Sequence, residues 1–175
     1  MQLITDTREQ DSLTFSTIEG VEYVRECLPC GDYGARINGE MVKAVWERKS
    51  IADLFSSFSS NYENEKAKIE RAKELGWIYM LAIEGNVFDV REGHTYTKGG
   101  EVHHSKKSGI AQIRQLLTMY QKEYLDLWFF DSRAEMAFTI QEYFLNIKKK
   151  LADGLSLKTG FDCTKDTSKL LKSSS

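Results

Sequence analysis

The residues in this chain best suited to chemistry are carboxylates near strand ends, with one lysine among them. Asp6 and Glu9 follow the first apolar segment and Asp32 the second, while Glu47 and Asp53 fall within VKAVWERKSIADLF, residues 42–55. Lys49 lies two positions from Glu47, so on a strand the two side chains share a face and Arg48 points the other way. Hard carboxylate oxygens beside a lysine suit a divalent cation, Mg2+ or Mn2+, of the kind used in phosphodiester hydrolysis. The cation would polarise the phosphoryl oxygen and acidify a water, and the lysine would orient that water or stabilise charge on the phosphate. Each residue also has a plain structural use. Ser50-Ile-Ala-Asp53 fits an S-x-x-D capping box, Asp6 and Glu9 suit the cap of a short helix, and Asp32 beside Gly31 is an ordinary turn aspartate. Arg48 suits a structural ion pair. Only convergence of the five carboxylates separates the two uses.

The elements that must position these residues alternate along the chain. QLITDT (2–7) and EYVREC (22–27) predict strands. YGARIN, the pair Asn38-Gly39, and MVKAVWERK predict a hairpin, because Asn-Gly between alternating segments is a strong tight-turn signal. A helical pattern starts at Ser50, breaks at SSFSSN and resumes over 62–75. WIYMLAIEG (77–85) is nearly all apolar, as in a strand covered on both faces. Residues 86–107 show no strong period, and loops of that length are usually functional or disordered. Residues 108–122 place Ile110, Ile113, Leu117 and Tyr120 on one helical stripe. YLDLWFFD (124–131) predicts a strand and 133–150 a long helix. Strands separated by helices imply an α/β layered domain with a mixed sheet, its hairpin antiparallel and its later strands parallel. One domain over 1–150 and a basic, disordered tail over 151–175 are expected.

Composition narrows the setting. With 175 residues, 41% of them hydrophobic and 29% charged, the chain fits one soluble globular domain. No apolar run approaches the ~20 residues of a membrane span, and MQLITDTREQ lacks the basic and apolar regions of a signal peptide. Three cysteines, an odd number, argue against a secreted disulfide framework. Cys27-x-x-Cys30 has no second pair at zinc-ligand spacing, so reduced thiols in an intracellular, cytoplasmic protein are expected. After residue 147, seven lysines against three aspartates give +4, which leaves −6 on residues 1–147 of a chain whose net charge is −2. An acidic body gives no electrostatic sign of nucleic acid. A DNA partner would need a local basic groove, with the acidity serving a carboxylate cluster built for a metal.

The motifs themselves carry a family resemblance. WERKSIAD matches the E-R-K-x-x-x-D signature of the XPF-type nuclease domain, a branch of the PD-(D/E)xK superfamily. DTRE (6–9) resembles that family's first-strand motif, CGDYG (30–34) its G-D-Y segment, and WIYMLAIEGN the apolar strand that follows. The stretch from Ser108 to Phe144 resembles its closing helix-strand-helix, so the likeness runs over roughly residues 2–150. It implies a three-layer α/β/α restriction-endonuclease-like fold with a central mixed sheet. It also implies a Mg2+- or Mn2+-dependent endodeoxyribonuclease acting on branched, flapped or otherwise irregular DNA in repair or recombination. Asp32, Glu47, Arg48, Lys49 and Asp53 are then catalytic positions, and Asp6, Glu9, Asp32 and Glu47 metal ligands. Larger members carry a helix-hairpin-helix pair for which residues 151–175 leave no room, so a stand-alone bacterial or phage-style member is expected. Inactive partner subunits in the family define the alternative, a non-catalytic DNA-binding or scaffolding module. Such partners typically lose acidic or lysine positions of the motif that are all present here, which favours an active enzyme.

Two surfaces suggest partners. Arg8, with His103, His104, Lys106 and Lys107 from the long segment, would contact DNA, whereas His94 reads as a surface residue. In helix 133–150, Ala137, Ile140, Phe144, Ile147 and Leu151 form one stripe at ~100° per residue. Phe138 and Leu145 lie off it, and Met136 and Tyr143 extend its other side. So wide an apolar surface needs two partners, the sheet and a second copy of the chain. The resemblance points the same way, to a homodimer built on this helix.

Overall fold

In the computed structural model, which describes residues 1–58, 61–98, 100–105, 107–123 and 125–154, the Asn38-Gly39 pair makes the sheet's tight turn. Both residues have positive φ, 52° and 85°, as the mirror-image turns of two-residue hairpins require. Strands β3 (Tyr33–Ile37) and β4 (Glu40–Met41) therefore pair antiparallel. The hairpin's second arm is not continuous. It breaks after Met41 and resumes as β5 (Ala44–Ser50), which meets β3 at Tyr33 and Trp46.

On one side of this centre, β1 (Gln2–Asp6) pairs antiparallel with β3 and parallel with β2 (Glu22–Glu26). On the other, β6 (Ile78–Glu84) and β9 (Leu125–Phe130) continue in parallel from β5. The order is β2-β1-β3-β5-β6-β9, with β4 attached to β3, a mixed sheet as expected. Side chains alternate across it and divide the core in two. Trp46, Met80 and Ala82 face α5 (Arg133–Ala152), which buries Met136, Ala137, Ile140, Phe144 and Ile147 against them. Val45, Tyr79, Leu81 and Ile83 face α1 (Ile51–Ser57), α2 (Tyr62–Glu74) and α4 (Gly109–Glu123). The result is the three-layer α/β/α arrangement. None of the described helices is long and apolar enough to cross a membrane.

Two expectations are corrected. Residues 86–107 are not one long loop but contain α3 (Val87–Glu92) and an antiparallel hairpin, β7 (Thr95–Lys98) with β8 (Glu101–His104). Helix α3 begins with a reciprocal capping box in which Asn86 accepts from the Phe88 and Asp89 amides, and Asp89 from the Asn86 amide. In α4 the expected stripe faces largely outward, with only Ile113 packed against the core. Ile110, Leu117 and Tyr120 are about half exposed, while Gly109, Gln112, Leu116 and Met119 are buried. Gly109 helps set that rotation, because a Cβ there would lie 2.2 Å from the carbonyl oxygens of Val90 and Arg91. The helix is apolar on both sides, so the pattern alone does not say which side packs. The stripe on α5 is buried as far as Ile147, but Leu151 is partly exposed. The expected tail lies outside the described residues from residue 155 onward.

Candidate active site

Gly31 determines where Asp32 goes. Its φ is +74°, and a Cβ would stand 1.8 Å from Val45 Cγ2, so no larger residue fits this turn. The next residue is clamped across the sheet: the Asp32 amide donates to the Trp46 carbonyl at 2.7 Å, and the Asp6 amide to the Asp32 carbonyl at 2.7 Å. Asp32 Oδ2 then accepts from the Arg48 amide at 2.8 Å. Burial first, and the neighbouring charge of Glu47 second, push its carboxyl up to about 7, against the pull of that amide.

Strand alternation places Glu47 and Lys49 on the face toward α1 and α2. Glu47 is 2% exposed. Its Oε1 accepts from both Lys49 Nζ and Lys68 Nζ at 2.5 Å, whereas its Oε2 is buried with no partner. Burial alone would raise this carboxyl, but Lys49 and Lys68 overcome it and hold the group below its ordinary range. Lys49 is raised despite its burial because Glu47 and Glu65 surround it. Glu65 Oε2 lies 3.0 Å from Lys49 Nζ, and Glu65 Oε1 accepts from Tyr79 OH at 3.0 Å. Sequence reasoning missed Glu65, Lys68 and Tyr79. A signal was present, since Glu65 falls on the i, i+4, i+7 stripe with Ile69 and Ala72, and all three are buried.

Arg48 faces the opposite layer, as its place on the strand dictates, and serves as an ion-pair hub. It bonds Glu84 at 2.9 Å, Glu9 at 3.3 Å and Asp11 at 3.4 Å. Arg133, the first residue of α5, joins the same set through Asp11 at 2.7 Å and Glu84 at 3.1 Å. Asp11, Glu84 and Arg133 were also missed, because they lie far apart in the chain and outside the motif.

The five expected carboxylates do not converge. Asp32, Glu47, Glu9 and Asp53 line one open cleft of about 330 Å³, together with Arg8, Lys49 and the α1 residues Ser56 and Ser57. Asp6 is not part of that lining. Its Oδ1 accepts from the Arg8 amide and Arg8 Nε at 2.8 and 2.7 Å, and its Oδ2 from Arg8 Nη2 and the Leu28 amide at 2.9 and 2.6 Å. Burial would raise this carboxyl, yet Arg8 and the two amides hold it low. With both oxygens spent, Asp6 serves as a structural pin, against the expectation of a metal ligand. Glu9 is drawn to Arg48 and to the Asp11 amide at 2.8 Å. Asp53 sits in the first turn of α1, where the N-cap Ser50 accepts from its amide at 3.1 Å and donates Oγ–H to its carboxylate at 2.7 Å. Among the described residues, no three His, Cys, Asp or Glu side chains form a group able to hold a metal ion. The pair that fits a cation is Asp32 with Glu47. Mg2+ is commonly held by one or two carboxylates plus waters, and the unpaired buried Glu47 Oε2 is the donor such an ion would complete.

The expected DNA contacts divide. Arg8 is tied to Asp6 and the Leu28 carbonyl, but its side chain remains 64% exposed at the cleft. His103 stacks on Tyr96 with ring centroids 5.5 Å apart, in a ladder that continues through His94 to Phe55. His94 is therefore packed rather than a bare surface residue. His104 is exposed on β8. Lys107 is engaged through one of its three N–H groups, its Nζ donating to the Phe58 carbonyl at 2.7 Å, which ties the end of the hairpin segment to the end of α1. Lys106 lies outside the described residues. Cys27 and Cys30 are free thiols, and burial pushes Cys30 up to about 11.

Comparison with known proteins gives the family and the fold. The family model of the ERCC4 domain matches residues 5–143. Among solved structures, the fold is similar to XPF from Aeropyrum pernix, with TM-score 0.59 and 16% identity over 87% of this chain and 68% of that one. XPF from Aeropyrum pernix in complex with DNA matches with TM-score 0.54 and 18% identity, over 85% of this chain and 66% of that one. The chain thus spans about two thirds of the length of those proteins. No curated protein matches its sequence. The matched span runs from the end of β1 into α5 and holds Asp32, Glu47 and Lys49, and the chain belongs to the ERCC4 domain family, on the fold of the XPF nuclease domain.

Proposed function

We propose that the chain is a divalent-metal-dependent endodeoxyribonuclease, using Mg2+ or Mn2+, that cuts branched, flapped or otherwise irregular DNA in repair or recombination. The observation that carries this reading is Glu47, a buried carboxylate with one oxygen on two lysines and the other on nothing. Leaving a buried carboxyl oxygen unpaired is costly, and a cation shared with Asp32 would remove that cost. When bound, the cation would supply Lewis acidity at a phosphoryl oxygen and lower the pKa of a water. Asp32 and Glu47 would hold it. Lys49 commits two of its three N–H groups to Glu47 and Glu65, so the third is available to a phosphate oxygen or to the attacking water at the cleft. Arg48 would act indirectly, its amide fixing Asp32 and its guanidinium drawing Glu9 toward the cleft. Arg8 at the cleft, together with His103, His104, Lys106 and Lys107, would contact the DNA.

The test is incubation with labelled linear, flap, fork and junction DNAs in Mg2+, Mn2+ or EDTA. Metal-dependent cutting is expected, and full cutting in EDTA overturns the proposal. The two lysines on Glu47 favour one other reading, a DNA-binding module whose acidic site is neutralised without any cation. Binding without cleavage in either metal would establish that reading instead.

A homodimer on the helix 133–150 is also proposed. Phe138 is 62% exposed, and with Trp128, Tyr143 and Leu145 it lines a mainly apolar groove between α5 and the open edge strand β9. An apolar groove beside an unpaired strand edge suits a second copy. Light scattering at micromolar concentration should give twice the monomer mass, and a monomer mass overturns this assignment.

A further inference from the structure

We infer that Glu65 and Tyr79, which belong to no recognised motif, are positioning residues that hold Lys49 aimed at the cleft when Glu47 is taken up by a cation. The inference rests on the nuclease reading of the cleft and deepens it. Both residues are buried, Glu65 on the packed face of α2 and Tyr79 on β6 beside Val45. An apolar residue would fill the Glu65 position more cheaply, because a buried carboxylate needs its charge matched. Here the match is made by the lysine of the cleft.

The two oxygens of Glu65 are divided between two donors. Tyr79 OH takes Oε1 and so fixes the carboxylate plane, which leaves Oε2 directed at Lys49 Nζ 3.0 Å away. Lys68 Nζ stands 3.8 Å from the same Oε2 and is too distant to replace it. Lys49 is thereby held from two sides, by Glu47 and by Glu65. A cation on Glu47 weakens the first hold by drawing that carboxylate's charge to itself, while the second is untouched. Without Glu65, the lysine would be repelled by the cation and free to leave. With it, the ammonium stays placed for a phosphate oxygen or water, as outer partners commonly orient the groups that do chemistry.

Four variants of the full chain, with Lys49→Ala alone as the reference, test this: Glu65→Gln, Tyr79→Phe, and each combined with Lys49→Ala. Single-turnover cleavage of labelled DNA in Mg2+ should lose ~10–100-fold in maximal rate for Glu65→Gln, and less for Tyr79→Phe, which keeps the ring in the core. The protein concentration giving half-maximal rate should move less than about threefold, since Glu65 does not touch DNA. In the Lys49→Ala background neither change should lower the residual rate further, because non-additivity marks residues that act through one another. A metal-soaked crystal structure of Glu65→Gln should show Lys49 Nζ displaced from its wild-type position. An unchanged maximal rate, additive losses with Lys49→Ala, or an undisplaced Nζ overturns the inference. If the wild-type chain cuts no DNA, the nuclease reading falls, and the position of Nζ alone decides whether Glu65 holds Lys49.

Discussion

Asp6 and Glu47 are two buried carboxylates at the same end of the sheet, 1% and 2% exposed, and both are held below their ordinary range against the upward push of burial. What differs is completeness. Asp6 receives two amides and a two-pronged arginine, so neither oxygen lacks a donor. Glu47 has two lysines crowded on one oxygen and none on the other. A carboxylate whose bonds are complete stabilises the fold, and one left incomplete has capacity for something that arrives later. The two residues look alike in sequence, each an acid near a strand end, and only their partners distinguish them.

The sharpest way to break this comparison is to neutralise both groups and measure cleavage. Glu47→Gln and Lys49→Ala should each lower the rate by at least ~10²–10³-fold, the scale seen when a donor or charge serving the transition state is removed. Asp6→Asn should leave the rate of the folded protein within several-fold. If Asp6→Asn matches Glu47→Gln in a single-turnover assay while its melting temperature is unchanged, the distinction between the two carboxylates is false.

Stability should show the converse, with a smaller effect. Asp6→Ala leaves the buried Leu28 amide without an acceptor and frees the Arg8 guanidinium, a loss of about 2 kcal/mol by the usual cost of an unsatisfied buried donor. For a domain of this size that is roughly 4–8 °C in melting temperature, measurable by thermal scan in EDTA. Arg133→Ala, which removes partly exposed contacts to Asp11 and Glu84, should cost only about 1 kcal/mol. A larger loss for Arg133→Ala than for Asp6→Ala would mean that the Arg48 hub, and not the Asp6 pin, holds this end of the sheet.

The same contrast explains what could be read from the chain. Local patterns transferred well: Asn38-Gly39 turned where expected, WIYMLAIEG became a strand buried on both faces, and the Ala137-Ile140-Phe144-Ile147 stripe packed on the sheet. The ERK motif located Glu47 and Lys49 because strand alternation puts both on one face. What could not be read depends on partners distant in the chain. Whether Asp6 meets Arg8 or a cation depends on the segment after β2, whose Leu28 amide closes over it. Glu65 is one acid among several on a charged helix until α2 is laid against β6, within reach of Lys49. The α4 stripe was misread because Gly109 packs against α3, which the pattern of residues 86–107 did not reveal. Short capped elements such as α3 leave only a turn's worth of signal.

Asp32 lies between the two extremes and permits the finest test. It has one amide donor, from Arg48, and it shares the cleft with Glu47. Its carboxyl is pushed up to about 7 from an ordinary 3.8 by burial and then by Glu47. A folded-state pKa above the unfolded one means that ionisation opposes folding. In EDTA, the wild type should therefore lose stability relative to Asp32→Asn as pH rises from about 4 to about 7, with the difference constant above that. The amide variant still offers an oxygen to the Arg48 amide, so it should melt higher than wild type at pH 8 without metal. Mg2+ narrows that gap. At ten times its dissociation constant, a cation on Asp32 and Glu47 adds ~1.4 kcal/mol to the wild type by linkage, roughly 3–6 °C, and should add little to Asp32→Asn. A structural turn aspartate predicts the opposite pair of results, lower stability in the variant and an unchanged Mg2+ response. Thermal scans of both proteins across pH, with EDTA and with Mg2+, decide whether Asp32 belongs with Glu47 or with Asp6.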